Sequence, residues 1–270
     1  DQRCAAFAPG ASPIGGVLQR QRAHASEHAG AQNRARHCAA GHAAGSAGPN
    51  AQAPDDVCAA RQSQIERRYG ALGDSARAAV GDAAPWQTTA MGGGHAVALY
   101  PAVAGDAAQA RACWIAPTSE AAPEGPALVA DIWSWASVLS GVPFVTQPLF
   151  EAFVPQMLNY ESVGGVNFKK GCYPGQEVVA RSQFRGTLKR RMTRVFSPVA
   201  LVAGQDVFTQ ADPEQPCATV VQSAPRPDGS GWDALVSGTL ESMQAGWHAG
   251  SATGEKLELL PLPYALLEDV

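Results

Sequence analysis

A cysteine and several basic residues are concentrated in one short segment of the chain. Cys172 lies in the run KGCYPGQE, directly before a predicted helix over residues 175–182. The helix dipole and the adjacent charges of Lys169 and Lys170 stabilise the thiolate form of such a cysteine. The spacing therefore makes Cys172 a candidate reactive thiol, and a small buried packing cysteine is the alternative.

The basic residues around Cys172 produce a local positive field in a chain whose formal net charge is −4. Residues 169–194 contain eight of the 20 Lys and Arg residues and one acidic residue, Glu177. Such a field suits a polyanionic ligand, and Gly171, Gly175 and Gly186 permit its close approach to the backbone. A solvated helix face has the same composition and is the alternative interpretation.

The composition of the 270-residue chain argues against several classes of protein. Its 20 basic and 24 acidic residues give no overall attraction to nucleic acid or anionic membranes. The six cysteines are dispersed without a CxxC pair, which disfavours a disulfide framework or a zinc site. No apolar run approaches the roughly 18–20 residues that span a bilayer, and the N-terminus lacks the apolar region of a secretory signal. We expect a soluble, cytoplasmic monomer that binds no metal.

Two kinds of secondary structure are expected to position the segment. Upstream, the pattern predicts a short helix over residues 74–81, strands over 95–100 and 112–116, and a helix over 124–140 that ends at Gly141. Downstream, short strands over 201–208, 218–223, 234–240 and 256–261 are separated by Gly and Pro and predict a small β-barrel or sandwich. We therefore divide the chain into an α+β core over residues 66–194 and a barrel over 195–270.

The first 65 residues do not resemble a folded domain. The 38 residues between Leu18 and Val57 include no Val, Ile, Leu, Met, Phe, Trp or Tyr. Without large apolar side chains a segment cannot offset its ordering entropy by burial. We expect residues 1–65 to be disordered, or to be a GC-rich gene segment read in a shifted frame.

The surroundings of Cys172 resemble a known family. The run KGCYPGQE follows FVPQMLN and GGVNFKK and precedes VARSQFRGTLKR. This order is similar to the signature of the YgfZ family of folate-binding proteins. That family is related to the T-protein, the aminomethyltransferase of the glycine cleavage system. The stretch GVPFVTQPLFEAFVPQML also follows the family layout.

The resemblance implies three subdomains around a channel that takes up tetrahydrofolate, the last subdomain being a β-barrel. It also implies a role in iron–sulfur cluster assembly or repair, through transient contacts with client or assembly proteins, and an indirect link to tRNA through cluster-dependent modifying enzymes. Cys172 matches the functionally important cysteine. The residues expected at the folate site are Trp133, Lys170, Gly171, Tyr173, Gly175, Gln176, Glu177, Arg181 and Arg185.

Trp133 falls where the family has a tryptophan that contacts folate, and simple core packing is its alternative. The family's folded first segment, which contributes one wall of the channel, has no counterpart in residues 1–65. A missing wall would expose apolar faces and sheet edges, so we expect poor solubility or partial folding.

Two other functions compete with a non-enzymatic folate-binding protein. An aminomethyltransferase would transfer one-carbon units on tetrahydrofolate, and it would need a carboxylate near the folate nitrogen. A direct RNA-binding module would use residues 169–194 as a phosphate track, with Tyr173 and Phe184 stacking on bases.

Overall fold

The computed structural model describes residues 80–117, 119–121, 123, 129–168, 171, 175–184 and 188–267. The expectations for residues 1–65 and for most of the helix over 74–81 lie outside this part of the chain. Within it, α-helices and two antiparallel sheets give a mixed α+β architecture. None of the helices in the described ranges has the length and apolar character needed to cross a membrane.

The first sheet contains three antiparallel strands in sequence order. They are β1 (Thr88–Met91), β2 (Gly94–Ala104) and β3 (Ala107–Ile115). The strands predicted over 95–100 and 112–116 are confirmed, and both extend further than the alternation indicated. One face buries small side chains and the indole of Trp114, so the sheet can approach its neighbours closely.

Helix α1 (Ala130–Leu139) lies between this sheet and the rest of the molecule. Its buried residues Ile132, Trp135 and Leu139 follow the helical spacing seen in the sequence. The helix ends at Ser140, and Gly141 adopts a positive φ of 68°, which a residue without Cβ adopts at low cost. The predicted helix is therefore confirmed over its described part, whereas residues 124–128 are not described.

Two 3₁₀ turns, Gln147–Leu149 and Pro155–Leu158, lead from α1 to the signature segment. Helix α2 (Gln176–Phe184) follows the signature and confirms the helix predicted over 175–182. Leu149 and Leu158 of the two turns are buried in the same core cluster as α1. The connection therefore packs on the helix rather than forming a free loop.

The second sheet closes into a six-stranded antiparallel barrel. Its strands are β4 (Arg190–Ser197), β5 (Asp206–Phe208), β6 (Ala218–Pro225), β7 (Trp232–Thr239), β8 (Trp247–Ala249) and β9 (Lys256–Leu260), in the order β4-β7-β6-β5-β8-β9. Pairing of β9 with β4 completes the closure. Helix α3 (Leu240–Ala245) follows β7, and the Thr239 hydroxyl caps it by accepting from the Ser242 amide.

A glycine makes room for the largest side chain of the barrel core. A Cβ at Gly238 of β7 would collide with the ring of Trp247, which is fully buried. The indole of Trp247 packs with Val195, Val207 and other apolar residues from the surrounding strands. The missing side chain at Gly238 thus fixes where the ring lies.

The barrel differs in detail from the sequence expectation. Its first strand begins at Arg190, upstream of the boundary placed at residue 195. The strand expected over 201–208 is limited to Asp206–Phe208, and β8 was not anticipated. The first difference has a physical cause, because Arg191 and Arg194 of β4 are buried while their charges suggest a solvated strip.

Candidate ligand-binding site

The residues upstream of the signature hold α2 in place. Gln156, fully buried in the second 3₁₀ turn, donates through Nε2 to the Val179 carbonyl of α2 at 2.7 Å. Phe168 and Phe184 meet edge to face with ring centroids 5.3 Å apart. The signature segment is therefore bounded by a fixed turn before it and an anchored helix after it.

A second set of contacts attaches the same segment to the barrel. Asn159 adopts a left-handed backbone with φ of 58°, and its Nδ2 donates to the Met192 carbonyl at 2.8 Å. Glu161 and Arg191 form an ion pair in which both side chains are buried. Asn159, the last residue of the FVPQMLN stretch, and Glu161, two positions beyond it, position the segment, because both bind residues of β4.

The described signature residues lie around the start of α2. Gly171 and Gly175 are exposed, and no atom of the described residues outside their chain neighbours lies within 4 Å of a Cβ built on either. Gln176 and Glu177 form the first turn of α2, and Glu177 makes an exposed ion pair with Arg181 at 3.5 Å. The structure thus brings together five candidate residues, Gly171, Gly175, Gln176, Glu177 and Arg181. The backbone of the two glycines is exposed beside the other three. Four further candidates, Lys170, Cys172, Tyr173 and Arg185, lie outside the described residues.

Three buried acceptor oxygens on the surrounding segments have no hydrogen-bond donor. They are Oε1 of Gln156, Oε2 of Glu161 and Oε1 of Gln183. A buried polar atom without a partner costs about 1–3 kcal/mol. A ligand or water that carries N–H or O–H donors would offset this cost.

Trp133 lies on the sheet side of α1. Its half-buried ring packs against the core cluster of the three-stranded sheet. The guanidinium carbon of Arg111 lies 4.3 Å from the ring centroid, and Arg111 in turn donates to the Ser137 hydroxyl at 2.8 Å. Because Arg111 covers one face of the indole, only the other face and the edge are left for a ligand.

The basic strip of the sequence is not a continuous surface feature. Among the described cations of residues 169–194, Arg181 and Lys189 are exposed and Arg190 is half-buried. Arg191 and Arg194 are buried and donate to groups of the protein itself. A phosphate track along the whole strip would therefore lose two of its cations.

The two described cysteines differ from the expectation for a reactive thiol. Cys113 is buried in β3, and Cys217 is half-buried beside β6. Burial raises the pKa of the Cys217 thiol, which favours the unreactive protonated form. Within the described ranges no three His, Cys, Asp or Glu side chains are grouped so that they could hold a metal ion.

A charged cavity that the sequence did not reveal lies on the side of α1 opposite Trp133. Trp135 reaches the barrel, where its Nε1 donates to the Asp233 carboxylate at 2.7 Å. Arg194 and Arg226 line the same cavity. Arg194 lies on the face of β4 opposite Val195, which packs in the barrel core, and the cluster of basic residues in the sequence gave no sign of its burial.

Comparison with known proteins agrees with the signature. No family model matches the chain. A protein of Sodalis glossinidius (strain morsitans), named "tRNA-modifying protein YgfZ", is 32% identical over 152 residues, which cover 54% of this chain and 46% of the relative. The protein of the same name from Serratia proteamaculans (strain 568) is 31% identical over 140 residues, covering 51% of this chain and 42% of the relative. The chain thus spans about half the length of the curated relatives it matches, and over this half it is similar to proteins named YgfZ.

Proposed function

We propose that this chain is a tetrahydrofolate-binding accessory protein that supports iron–sulfur cluster assembly or repair and, through it, cluster-dependent tRNA modification. The observation that carries the proposal is the KGCYPGQE signature. Its glycines Gly171 and Gly175 have exposed backbone close to the start of α2. The printed name of its relatives, "tRNA-modifying protein YgfZ", supports the link to tRNA modification.

The residues around α2 fit a folate in their chemistry. Open backbone at Gly171 and Gly175 allows close approach, and the unpartnered acceptors of Gln156 and Gln183 match a ligand rich in N–H donors, as a pterin is. Arg181 can pair with a carboxylate, together with Lys170 and Arg185 of the signature, which lie outside the described residues. Bound tetrahydrofolate would supply one-carbon carrier chemistry, and the three-subdomain channel is part of this proposal.

Trp133 is proposed as an aromatic wall of the folate site. The guanidinium of Arg111 on one face holds the ring in place. The exposed part of the ring is proposed to contact a pterin or benzoyl group, for which offset stacking is favourable. Gln176 and Glu177 at the start of α2, with Tyr173 before it, complete the proposed contacts.

Cys172 is proposed as the functional thiol. It supplies thiol chemistry or a transient contact with a cluster or client protein, and the cluster is cargo rather than a resident cofactor. The proposal is supported by contrast with Cys113, which is buried, and with Cys217, whose pKa is raised by burial. By its place in the sequence, Cys172 precedes α2 and follows Lys169 and Lys170, whose charges with the helix dipole stabilise a thiolate.

The experiment measures tetrahydrofolate binding by isothermal titration calorimetry, together with the activity of cluster-dependent tRNA-modifying enzymes in cells. Trp133→Ala should weaken folate binding about tenfold, and Trp133→Phe should retain part of the affinity, because a stacked ring contributes about 0.5–1.5 kcal/mol. Cys172→Ala should leave folate binding intact and abolish support of the cluster enzymes. The matched control Cys217→Ala should change neither quantity.

The binding and the cellular arms test different parts of the proposal. Unchanged folate affinity in Trp133→Ala would show that the ring is core packing. Full cellular activity in Cys172→Ala would remove the thiol from the mechanism. Methylene-tetrahydrofolate formation with lipoyl carrier protein would instead favour the aminomethyltransferase.

A further inference from the structure

A cavity of about 600 Å³ lies between α1, the tip of the β2–β3 hairpin and the side of the barrel that faces α1. Trp135 and Leu139 of α1 form one wall, and Arg194 and Asp233 form the barrel side. Trp133, the proposed folate contact, packs instead on the three-stranded sheet. Residues two apart on a helix point in nearly opposite directions, so the cavity and the folate contact lie on different faces of α1.

Arg194 brings an incompletely satisfied cation to this cavity. Its side chain is buried, and its Nη1 donates only to the carbonyls of Val103 at 3.2 Å and Pro261 at 3.4 Å. The Nε atom has no hydrogen-bond partner. Burial lowers the pKa of the guanidinium, the nearby Asp233 charge opposes this effect, and Arg226 adds to it. A buried cation of this kind is stabilised by an acceptor that approaches Nε.

The nearest carboxylate is already committed to other donors. Asp233 accepts from Trp135 Nε1 at 2.7 Å and from Arg226 Nε and Nη2 at 3.0 and 2.7 Å. Arg226 also stacks on the ring of Phe196, with its guanidinium carbon 4.0 Å from the centroid. The charge of Asp233 is therefore balanced by Arg226, and no carboxylate in the described part of the chain forms an ion pair with Arg194.

The remaining lining restricts the kind of ligand. Apolar surface comes from Val103, Leu139, Leu260, Leu262 and the neighbouring prolines. The volume is that of a site for a small organic molecule. Since the carboxylates of Asp228 and Asp233 also face the cavity, a ligand with several negative charges would be repelled.

We propose that this cavity is a binding site for a small monocarboxylate with an apolar or aromatic body. The carboxylate pairs with the Arg194 guanidinium, which lines the cavity, and neutralises its buried charge. The body of the ligand lies along Trp135 and Leu139. The site is independent of the proposed folate function, because none of the folate-contact candidates lines it.

The test uses the full chain and two probe acids, 3-phenylpropionate and octanoate, each compared with its neutral amide. Binding is followed by saturation-transfer NMR and by calorimetry. A charge-assisted hydrogen bond predicts that each acid binds at least about tenfold more tightly than its amide. Equal affinity of acid and amide, or no saturable binding of either acid, would overturn the proposal without recourse to any variant.

Two variants locate the site. Arg194→Met should weaken acid binding about tenfold or more, and Ala104→Phe should abolish it by filling the cavity from the hairpin. Arg190→Met, on the same strand but outside the cavity, should bind as the wild type does. Circular dichroism reports whether each variant is folded. Undiminished binding in a folded Ala104→Phe variant would contradict the proposal.

Competition separates this site from the folate site. Saturating tetrahydrofolate should leave the bound probe in place, and Trp133→Ala should not change probe affinity. Displacement of the probe by tetrahydrofolate would show that the cavity is part of the folate site. Failure of the folate experiment with retained acid binding would affect only the proposed function.

Discussion

The indole Nε1 of Trp135 and the Oδ2 of Asp233 form a buried hydrogen bond of 2.7 Å that joins α1 to the barrel. The two residues are separated by 98 positions in the chain. Arg226 holds the same carboxylate from the other side through two further hydrogen bonds. The interface between α1 and the barrel therefore contains the Asp233 carboxylate, which accepts hydrogen bonds from Trp135 and Arg226.

Trp135→Phe should destabilise the protein by about 1–3 kcal/mol, because the buried Oδ2 of Asp233 loses one of its two donors and keeps only Arg226 Nε. The measurement is the urea midpoint followed by circular dichroism. The control is Trp232→Phe, since Trp232 is half-buried at the start of β7 and makes no side-chain hydrogen bond within the described residues. Equal urea midpoints for the two variants would mean that the hydrogen bond between Trp135 and Asp233 adds no stability beyond that of packing.

The buried ion pair between Glu161 and Arg191 gives a second prediction. Glu161→Gln should cost about 3–5 kcal/mol of unfolding free energy, because it removes the carboxylate from a buried ion pair. Glu177→Gln removes the exposed partner of Arg181 and should cost only about 0.3–0.5 kcal/mol. Chemical denaturation of both variants tests this difference, and similar losses would contradict it.

The local sequence pattern predicts the barrel downstream of residue 190 better than it predicts the candidate site. Gly and Pro separate several short runs of strand-forming residues, and the number and spacing of these runs predicted a small barrel or sandwich. The barrel closes where β9 pairs with β4, and these strands lie far apart in the sequence. A local sequence pattern cannot predict such a pairing. Strand β8 has only three residues, too few for a periodic signal.

The charges of residues 169–194 did not predict which of these side chains are buried. Arg191 and Arg194 contribute to the same basic run as Arg181, yet burial separates them from it. Their partners, Glu161 and the carbonyls of Val103 and Pro261, come from distant segments. A cation's burial is set by such tertiary partners, so composition could identify the segment but not which of its charges face solvent.

Gly238 provides a prediction about barrel packing. An added Cβ at Gly238 would overlap the ring of Trp247 and lie 2.6 Å from the Cβ of Ala218. Gly238→Ala should therefore cost at least about 1–3 kcal/mol, because an overpacked core must displace the buried indole. Gly171→Ala is the control, since open space surrounds that position and stability should be unchanged. Thermal unfolding compares the two, and a neutral Gly238→Ala would show that the ring has room to shift.

The phenol of Tyr264 makes stability depend on pH in the alkaline range. Burial raises the pKa of Tyr264 from 10.0 to about 12, and the hydroxyl donates to the Gly141 carbonyl at 2.7 Å. Below pH 10 the phenol is neutral in the folded and unfolded states, so its contribution is fully present. Between pH 10 and 12 the unfolded chain ionises first, and about 2–3 kcal/mol of stability is lost. Urea unfolding at successive pH values should show this loss in the wild type and a smaller one in Tyr264→Phe, whereas identical slopes would place the ionisation elsewhere.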